Sequence, residues 1–345
     1  MKKLRMAIIG AGNISTSAHI PAYKKIDDIE VVAIADWKLE RAQKAAANFP
    51  GCKAYTTVEE VLANEDIDAV DICVWNRSHT PVAIAAANAG KHVLCEKPMA
   101  ASLEDALKMR EAVEKANVTF MLAVPRRYQS DVRLLTKQIE DGDLGNIYYA
   151  KCAMIRRRGT PVGWFTDTGK SGGGPVLDIG VHCIDCTWYL MGRPKPTRVS
   201  AQISYGIGDF KTEDVNRWVA LDHDVTAFNT EDSAAGIIHF DNGACMLFET
   251  SWALNAPDAC YTQICGTKGG AELFPLRIYG EEKNHLVDKS PKTIDIDRFQ
   301  FEIEHFAECV RTGRKPVSSM EDALTVQRML NAIYESARKG CEVTL

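Results

Sequence analysis

The residues best suited to proton chemistry in this chain of 345 residues stand in two short motifs. The first, Glu96-Lys97-Pro98, follows the apolar run His92–Cys95, which has the composition of a strand. Ligands bind at the carboxyl ends of parallel strands. Because Pro98 restrains Lys97 to an extended backbone, the lysine could donate a hydrogen bond to a substrate hydroxyl and stabilise an alkoxide. A surface Glu–Lys ion pair is the structural alternative.

The second motif is a glycine-rich stretch, 172–174, that leads to Asp178 and His182. If this segment is helical, the two residues stand four positions apart on one face. A carboxylate beside an imidazole tunes a general base that can take the proton of an alcohol. The alternatives are a histidine packed in the interior and a flexible glycine loop.

A glycine turn after the first apolar strand is typical of a dinucleotide site. Gly10 and Gly12 permit a tight turn and a close approach to a pyrophosphate, and the helix that follows offers free N–H groups. Ser15 stands where the third glycine of the motif is expected, so the motif alone is a weak signal. A plain glycine turn is the alternative.

Asp36 directly follows the second predicted strand, where a carboxylate can accept a hydrogen bond from the adenine-ribose 2′-hydroxyl. Such a carboxylate repels a 2′-phosphate, which favours NAD over NADP. Lys38 and Arg41 follow closely and soften that repulsion. A helix N-cap is the alternative role for Asp36.

The elements that must position these residues alternate between strand and helix from residue 5 to about 124. This alternation predicts βαβ units and a doubly wound parallel sheet. The predicted strands are Arg5–Ile9, Ile29–Ala35, Ala69–Val74, His92–Cys95 and Thr119–Ala123. The predicted helices are Ala18–Lys25, Glu40–Asn48, Val58–Ala63, Pro81–Ala89 and Leu103–Ala116.

The pattern changes after residue 125, and we predict two domains, 1–124 and 125–345. The second is expected to be α+β with a mainly antiparallel sheet, and Asp241-Asn242-Gly243 indicates a hairpin within it. Its predicted helix is Asp131–Glu140, and its strands are Ile147–Ile155, Thr197–Ser204, Ser233–Phe240, Ala244–Ala253 and Tyr261–Cys265. From Glu302 the chain returns to helix, which we expect to pack on the first domain, and it ends extended over Glu342–Leu345.

Charge and cysteine content argue against several classes of partner and location. The net charge is −5 with no concentrated basic run, which argues against a nucleic acid or an anionic membrane as partner. The apolar run Met6–Ile9 is too short for a signal peptide, so the eleven cysteines are expected to be reduced, in the cytoplasm. Cys183 and Cys186 form a C-x-x-C pair, but we expect them to pack within the His182 helix, and no metal site is predicted.

In this order, the motifs resemble those of the Gfo/Idh/MocA oxidoreductases, a family named for glucose-fructose oxidoreductase and inositol dehydrogenase. The stretch from Asp68 to Pro98 is similar to the first family signature, and the stretch from 172 to 185 is similar to the second. The resemblance covers essentially the whole chain. The sequence departs from the family at Trp75, where proline is usual, and at Ser15.

The resemblance implies an N-terminal Rossmann domain and a C-terminal α/β domain with an open-faced sheet that forms dimers or tetramers. It implies an NAD-dependent enzyme that transfers a hydride between nicotinamide and a secondary alcohol or ketone of a sugar, sugar derivative or cyclitol. Lys97, Asp178 and His182 would form the catalytic group and touch substrate. His182 would move the hydroxyl proton, Asp178 would orient it, and Lys97 would bridge substrate and ribose.

The expected ligand contacts extend beyond the catalytic group. Cofactor contacts are expected at Gly10, Gly12, Asn13, Ile14, Asp36, Trp37, Arg41, Trp75, Asn76, His79, Glu96, Lys97 and Arg126. Arg127, Arg157 and Trp164 are expected to bind the substrate, because an arginine cluster near aromatic rings can hold a polyol or an attached anion. A solvated basic turn is the alternative for the arginines.

Two other functions are compatible with these motifs. An NAD-dependent glycosidase would oxidise a hydroxyl transiently and retain tightly bound NAD. A non-catalytic NAD or sugar sensor is the other candidate, but a sensor has no need of Lys97, Asp178 and His182 together.

Overall fold

The computed structural model describes residues 2–63, 66–223 and 227–345, and the chain forms two compact units. Unit 1 comprises residues 1–125, 220–222 and 297–324. Unit 2 comprises residues 126–219, 223–296 and 325–345. Each unit buries its own apolar core.

Unit 1 contains a six-stranded parallel sheet in the order β3-β2-β1-β4-β5-β6. The strands are β1 Leu4–Ile9, β2 Ile29–Ala35, β3 Lys53–Tyr55, β4 Ala69–Ile72, β5 His92–Glu96 and β6 Phe120–Ala123. Apart from the short edge strand β3, their apolar runs are buried on both faces, as expected of a parallel sheet. The strand order reverses beside β1, so the carboxyl ends of β1 and β4 border the crevice where such sheets bind ligands. This confirms the predicted Rossmann-like sheet.

Helices connect these strands. They are α1 Ile20–Tyr23, α2 Leu39–Ala46, α3 Val58–Leu62, α4 Asn76–Asn88 and α5 Leu103–Ala116. A π-helical turn, Ser15–His19, directly precedes α1. The Ser102 side chain caps α5 by accepting the backbone N–H of Asp105, and Asn117 ends the helix with φ of 52°.

Unit 2 is built on a nine-stranded sheet in the order β14-β13-β12-β11-β7-β10-β9-β8-β15. Only the β7–β10 pair among these described strands is parallel. This confirms the predicted α+β domain with a mainly antiparallel sheet. The strands are β7 Ile147–Ile155, β8 Pro196–Ser204, β9 Ser233–Phe240, β10 Cys245–Ser251, β11 Ala259–Gly266, β12 Gly270–Leu273, β13 Arg277–Glu282, β14 His285–Lys289 and β15 Val343–Thr344.

The two faces of the unit 2 sheet differ in burial. Met246 and Phe248 of β10 are buried, whereas the alternating Leu247 and Glu249 are half-exposed. The helices in this part of the chain are α6 Ser130–Glu140, α7 Thr168–Ser171 and α8 Val181–Leu190, and α8 packs on β7 and β11. Among the described residues, helix therefore covers one face, and the other face is half-exposed.

Two long helices complete the described chain, α9 Arg298–Thr312 and α10 Met320–Lys339. Helix α9 belongs to unit 1, where Ile303 and Phe306 are fully buried. All eleven cysteines are free thiols, and Cys183 and Cys186 are buried in α8, which agrees with helix packing. Among the described residues, no helix has the length and apolar character required to cross a bilayer.

Candidate active site

The glycine turn after β1 has the backbone geometry that a pyrophosphate site needs. Gly10 has φ of 103°, in the region that favours glycine. A Cβ at Gly10 would lie 2.4 Å from the carbonyl oxygen of Cys73, so a larger residue cannot fit there. Around Gly12, apart from its own neighbours along the chain, no described atom lies within 4 Å of the position of a Cβ. The turn therefore fits a phosphate held by backbone N–H groups.

Residues at the start of the following helix stabilise this glycine turn. The buried Ser15 hydroxyl donates to the Gly12 carbonyl oxygen at 3.0 Å, so the residue that replaces the third glycine has a structural partner. The Asn13 side-chain oxygen accepts the backbone N–H of Leu221 at 3.1 Å. Ile14 packs, partly buried, against the core of unit 1.

Both carboxylate oxygens of Asp36 accept backbone hydrogen bonds at the carboxyl end of β2. The donors are the N–H groups of Ala11 and Lys38, each at 2.9 Å. The N-cap of α2 is Lys38, so Asp36 does not cap that helix. Because a carboxylate oxygen can accept more than one hydrogen bond, Asp36 fixes the glycine turn and keeps capacity for a ribose hydroxyl.

The segments that follow β2 and β4 each carry a tryptophan, Trp37 and Trp75. Trp37 is 62% exposed, and its ring centre lies 6.4 Å from that of Trp75. Trp75 precedes α4 in an extended conformation, and Asn76, the first residue of α4, is buried. The Lys38 ammonium lies 4.6 Å from the centre of the Trp37 ring, a cation–π contact.

The segment that carries Lys97 is held by its neighbours in unit 1. The Glu96 carboxylate accepts the backbone N–H of Lys97 at 3.0 Å. The buried His79 ring lies 2.8 Å from the Pro98 carbonyl oxygen and 3.2 Å from that of Val74. Burial lowers the pKa of His79 and favours the neutral ring, which has one N–H to donate. Lys97 is half-buried, and its bond to Pro98 is cis.

A buried charged network lies behind this segment. The His19 ring contacts the Asp71 carboxylate through Nδ1 at 2.7 Å and the Glu96 carboxylate through Nε2 at 3.0 Å. The Tyr23 hydroxyl donates to the same Asp71 oxygen at 3.0 Å. Burial disfavours the charged ring, but the Asp71 carboxylate outweighs it and raises the pKa of His19 well above its ordinary value. The buried His19 ring therefore connects the helix after the glycine turn to β4 and β5.

Glu302 of α9 adds a third carboxyl group to this buried region. Its side chain is fully buried, and neither oxygen accepts a well-formed hydrogen bond within the described part of the chain. Burial first, and then the nearby Glu96 carboxylate, raise the pKa of Glu302 well above its ordinary value, so the neutral acid is the stable form.

In unit 2, Asp178 and His182 lie on one continuous helical segment. Asp178 belongs to a π-helical turn, Val176–Gly180, and His182 belongs to the first turn of α8. Both side chains are half-buried. The Trp252 indole N–H donates to Asp178 at 3.0 Å, which fixes the carboxylate. Single π-helical turns within helices occur often at functional sites.

The glycines before this segment make room for side chains of unit 2 itself. A Cβ at Gly173 would lie 2.2 Å from the Tyr334 hydroxyl, and one at Gly174 would lie 2.5 Å from the Glu231 carbonyl oxygen. The buried Glu231 carboxylate accepts the N–H groups of Gly174 and Val176, at 2.9 and 3.2 Å, and the Tyr334 hydroxyl at 2.8 Å. The stretch is thus a packed connection and not a flexible loop.

The two arginines after β6 contact other residues of unit 2, and of the two only Arg127 is buried. Arg127 is buried and donates to both oxygens of Asp185, at 3.0 and 2.6 Å. One terminal nitrogen of Arg126 contacts sulfur atoms of Met154 and Cys260, each at 3.4 Å. Because the Arg127 guanidinium donates to Asp185 of α8, we expect Arg127 to hold that helix in position.

The remaining predicted substrate residues lie nearer the surface. Arg157 is exposed, and its backbone N–H donates to the Asp258 side chain at 2.6 Å. Trp164 is half-buried and stacks on Phe165 with ring centres 4.0 Å apart. Phe165 in turn meets the Trp218 ring edge-on at 5.0 Å. The aromatic residues form one cluster, and Arg157 is not part of it.

Several residues that hold these sites together were not predicted from the sequence. His19, Asp71 and Cys73 are the three residues among those described whose side chains could together surround a metal ion. All three are buried and already contact one another, so the hydrogen-bonded network accounts for them. An aspartate inside the apolar strand β4 was the available signal. Glu231 and Trp252 gave no such signal, because their partners lie far away in sequence.

The comparisons with known proteins agree with this fold. Residues 4–124 match the model of an oxidoreductase family with an NAD-binding Rossmann fold, and residues 136–345 match its C-terminal alpha/beta domain. The chain is 33% identical to the D-glucoside 3-dehydrogenase of Escherichia coli K12, over 99% of this chain and 97% of that protein.

Two further proteins show the range of relatives. The D-xylose 1-dehydrogenase (NADP(+)) 2 of Haloferax volcanii is 27% identical over 99% of this chain and 100% of that protein. A structure of levoglucosan dehydrogenase in complex with NADH and L-sorbose is 26% identical, with a TM-score of 0.85 over 100% of this chain and 99% of that one.

The buried acid of α9 predicts an effect of pH on stability. Because the folded-state pKa of Glu302 is raised, native Glu302 keeps its proton where the unfolded chain loses it, and stability falls as pH rises through that window. Glu302→Gln removes this loss. In urea unfolding between about pH 5 and pH 8, the variant should gain stability over the parent by up to about 1.4 kcal/mol per pH unit.

The matched control is Glu308→Gln, a change at an exposed glutamate of the same helix. The charged groups around Glu302 are His19, Asp71 and Glu96, and they remain in both variants. A Glu302→Gln variant whose stability difference from the parent is independent of pH would contradict a raised pKa at this position.

Proposed function

The chain belongs to the Gfo/Idh/MocA family of oxidoreductases, and on this basis we propose that it is an NAD-dependent dehydrogenase of a secondary hydroxyl on a sugar, sugar derivative or cyclitol. The observation that carries the cofactor assignment is Asp36, whose carboxylate accepts the N–H of Ala11 within the glycine turn. That contact joins a pyrophosphate-type turn to an acceptor for ribose, as dinucleotide sites require.

The residues of unit 1 fit NAD. Gly10, Gly12 and the helix start beyond them would hold the pyrophosphate, and Asp36 would accept from the adenine ribose. The remaining proposed contacts are Asn13, Ile14, Trp37, Arg41, Trp75, Asn76, His79, Glu96 and Lys97, with Arg126 from unit 2. NAD, when bound, supplies the hydride acceptor at nicotinamide C4.

We assign the proton chemistry to three side chains. Lys97 donates a hydrogen bond to the reacting oxygen and stabilises its negative charge as the C–H bond breaks. His182 takes the hydroxyl proton, and Asp178, fixed by the Trp252 indole, orients that histidine. The carbon loses a hydride and the oxygen loses a proton, so the alcohol becomes a ketone or lactone and the cofactor is reduced.

The relatives support a ring polyol as substrate. Two of them are named for a glucoside and for xylose, and a structural relative is bound to L-sorbose. In this chain, Trp164 within the aromatic cluster is the residue best suited to stack on a sugar ring. Arg157 is exposed and remains a candidate for a polar contact.

We also propose that the open face of the unit 2 sheet pairs with a second copy of the chain. The half-exposed residues of β10 alternate with buried ones along a nine-stranded sheet, so this face has no helical cover from the residues that the structure describes. Multi-angle light scattering should give the mass of a dimer or tetramer. Substitution of Leu247 by Arg should lower that mass, and a parent protein that is monomeric at high concentration would contradict the assignment.

The catalytic assignment predicts a separation of turnover from binding. Lys97→Met and His182→Asn should each lower kcat by roughly 10²–10⁴-fold, because each removes a group that acts on the alcohol proton or on the alkoxide. NAD affinity, measured by calorimetry, should change little in His182→Asn and modestly in Lys97→Met.

The matched controls are Lys108→Met and His285→Asn, which alter exposed residues of the same types. Both controls should retain the parental kcat. If Lys97→Met and His182→Asn both keep more than about a tenth of the parental activity, these two residues are not the proton-transfer groups.

A further inference from the structure

Three residues from the middle of the chain, 220–222, belong to unit 1 and lie beside the glycine turn. The Leu221 backbone N–H donates to the Asn13 side chain at 3.1 Å, and the Leu221 carbonyl oxygen accepts from Arg41 at 3.2 Å. This tripeptide is therefore attached both to the turn after β1 and to helix α2.

Asp222, the last residue of this tripeptide, holds two cations. Its two oxygens accept from the two terminal nitrogens of Arg41, at 3.0 and 2.8 Å, in a bidentate pair. The Lys38 ammonium lies 3.3 Å from one of these oxygens. The side chains of Asp222 and Arg41 are only 16% and 19% exposed, so solvent screens this pair less than an ordinary surface ion pair.

The same two cations stand next to the proposed ribose contact. The Lys38 backbone N–H donates to Asp36, and Arg41 lies in the first turn of α2. An arginine in this neighbourhood is the kind of residue that accommodates the 2′-phosphate of NADP. Partial burial opposes ionisation of Asp222, but hydrogen bonds from Arg41 and Lys38 outweigh it and lower the pKa of its carboxyl.

We propose that Asp222 is a cofactor-specificity residue that occupies Lys38 and Arg41 in place of a 2′-phosphate. This inference rests on the proposed NAD site. Asp36 repels a 2′-phosphate at the ribose, and Asp222 neutralises the cations that would otherwise attract it. A 2′-phosphate must then either break a bidentate ion pair or approach two carboxylates, and both routes favour NAD.

Direct binding of nucleotide fragments tests the inference without hydride transfer. The ligands are 5′-ADP and 2′,5′-ADP, which differ by the 2′-phosphate, and calorimetry measures the affinity of each for the whole protein. Asp222→Asn removes the charge and keeps the size of the side chain. It should raise the affinity for 2′,5′-ADP by about tenfold and leave that for 5′-ADP within about twofold.

The matched control is Glu40→Gln, which removes one negative charge from an exposed position in the first turn of α2. It should leave the ratio of the two affinities unchanged. Asp222→Ala provides a second variant, and thermal unfolding shows whether each protein is folded.

The outcomes distinguish this inference from the function on which it rests. If Asp222→Asn leaves the affinity ratio unchanged, or if Glu40→Gln raises it equally, Asp222 does not determine specificity and the NAD site stands. Equal gains for both nucleotides would mean that the tripeptide only covers the adenosine site, which also overturns the inference. If the folded parent and variants bind neither nucleotide, the proposed cofactor site itself is wrong.

Discussion

The structure of unit 1 depends on one buried histidine held between two carboxylates. The fully buried His19 ring contacts Asp71 and Glu96, which belong to two adjacent strands. Removal of one partner from such a buried pair typically costs about 3–5 kcal/mol, a large fraction of a domain's stability of about 5–15 kcal/mol. Through Glu96, the same network reaches the backbone of Lys97. The position of the proposed catalytic lysine is thus coupled to the helix that leaves the glycine turn.

In unit 2, other buried polar groups hold a proposed catalytic residue, Asp178, in place. The buried Glu231 carboxylate accepts hydrogen bonds from backbone N–H groups at the start of the π-helical turn. The Trp252 indole donates a hydrogen bond to Asp178 within this turn and fixes its carboxylate. Glycine is required at 173 and 174 because the space of a side chain is filled by Tyr334 and Glu231. In both units, a residue of proposed function rests on buried polar contacts that leave it little freedom, which is how a site is kept in a reactive geometry.

The sequence predicts the framework well, because the framework is encoded locally. Apolar runs predict Ile29–Ala35, Ile147–Ile155 and Ser233–Phe240 with the bounds observed. The short strand Lys53–Tyr55 was missed because three partly exposed residues carry no periodicity. Long-range partners could not be predicted either: His19 and Glu96 are 77 residues apart, and Arg41 and Asp222 are 181 apart. The sequence analysis placed Arg127 at the substrate. It could not predict the ion pair of Arg127 with Asp185, because no local pattern connects these two residues.

The most direct test of the account is hydride transfer from a labelled sugar to NAD. Methyl glucosides, levoglucosan, xylose and myo-inositol, each deuterated at its secondary ring carbons, would be incubated with the protein and NAD, and the nicotinamide product analysed by mass spectrometry. The account predicts reduced NAD that carries one deuterium, together with a ketone or lactone, from at least one of these polyols. Retained NAD with no net reduction, accompanied by release of methanol from a glucoside, would contradict a dehydrogenase and indicate a transient-oxidation glycosidase.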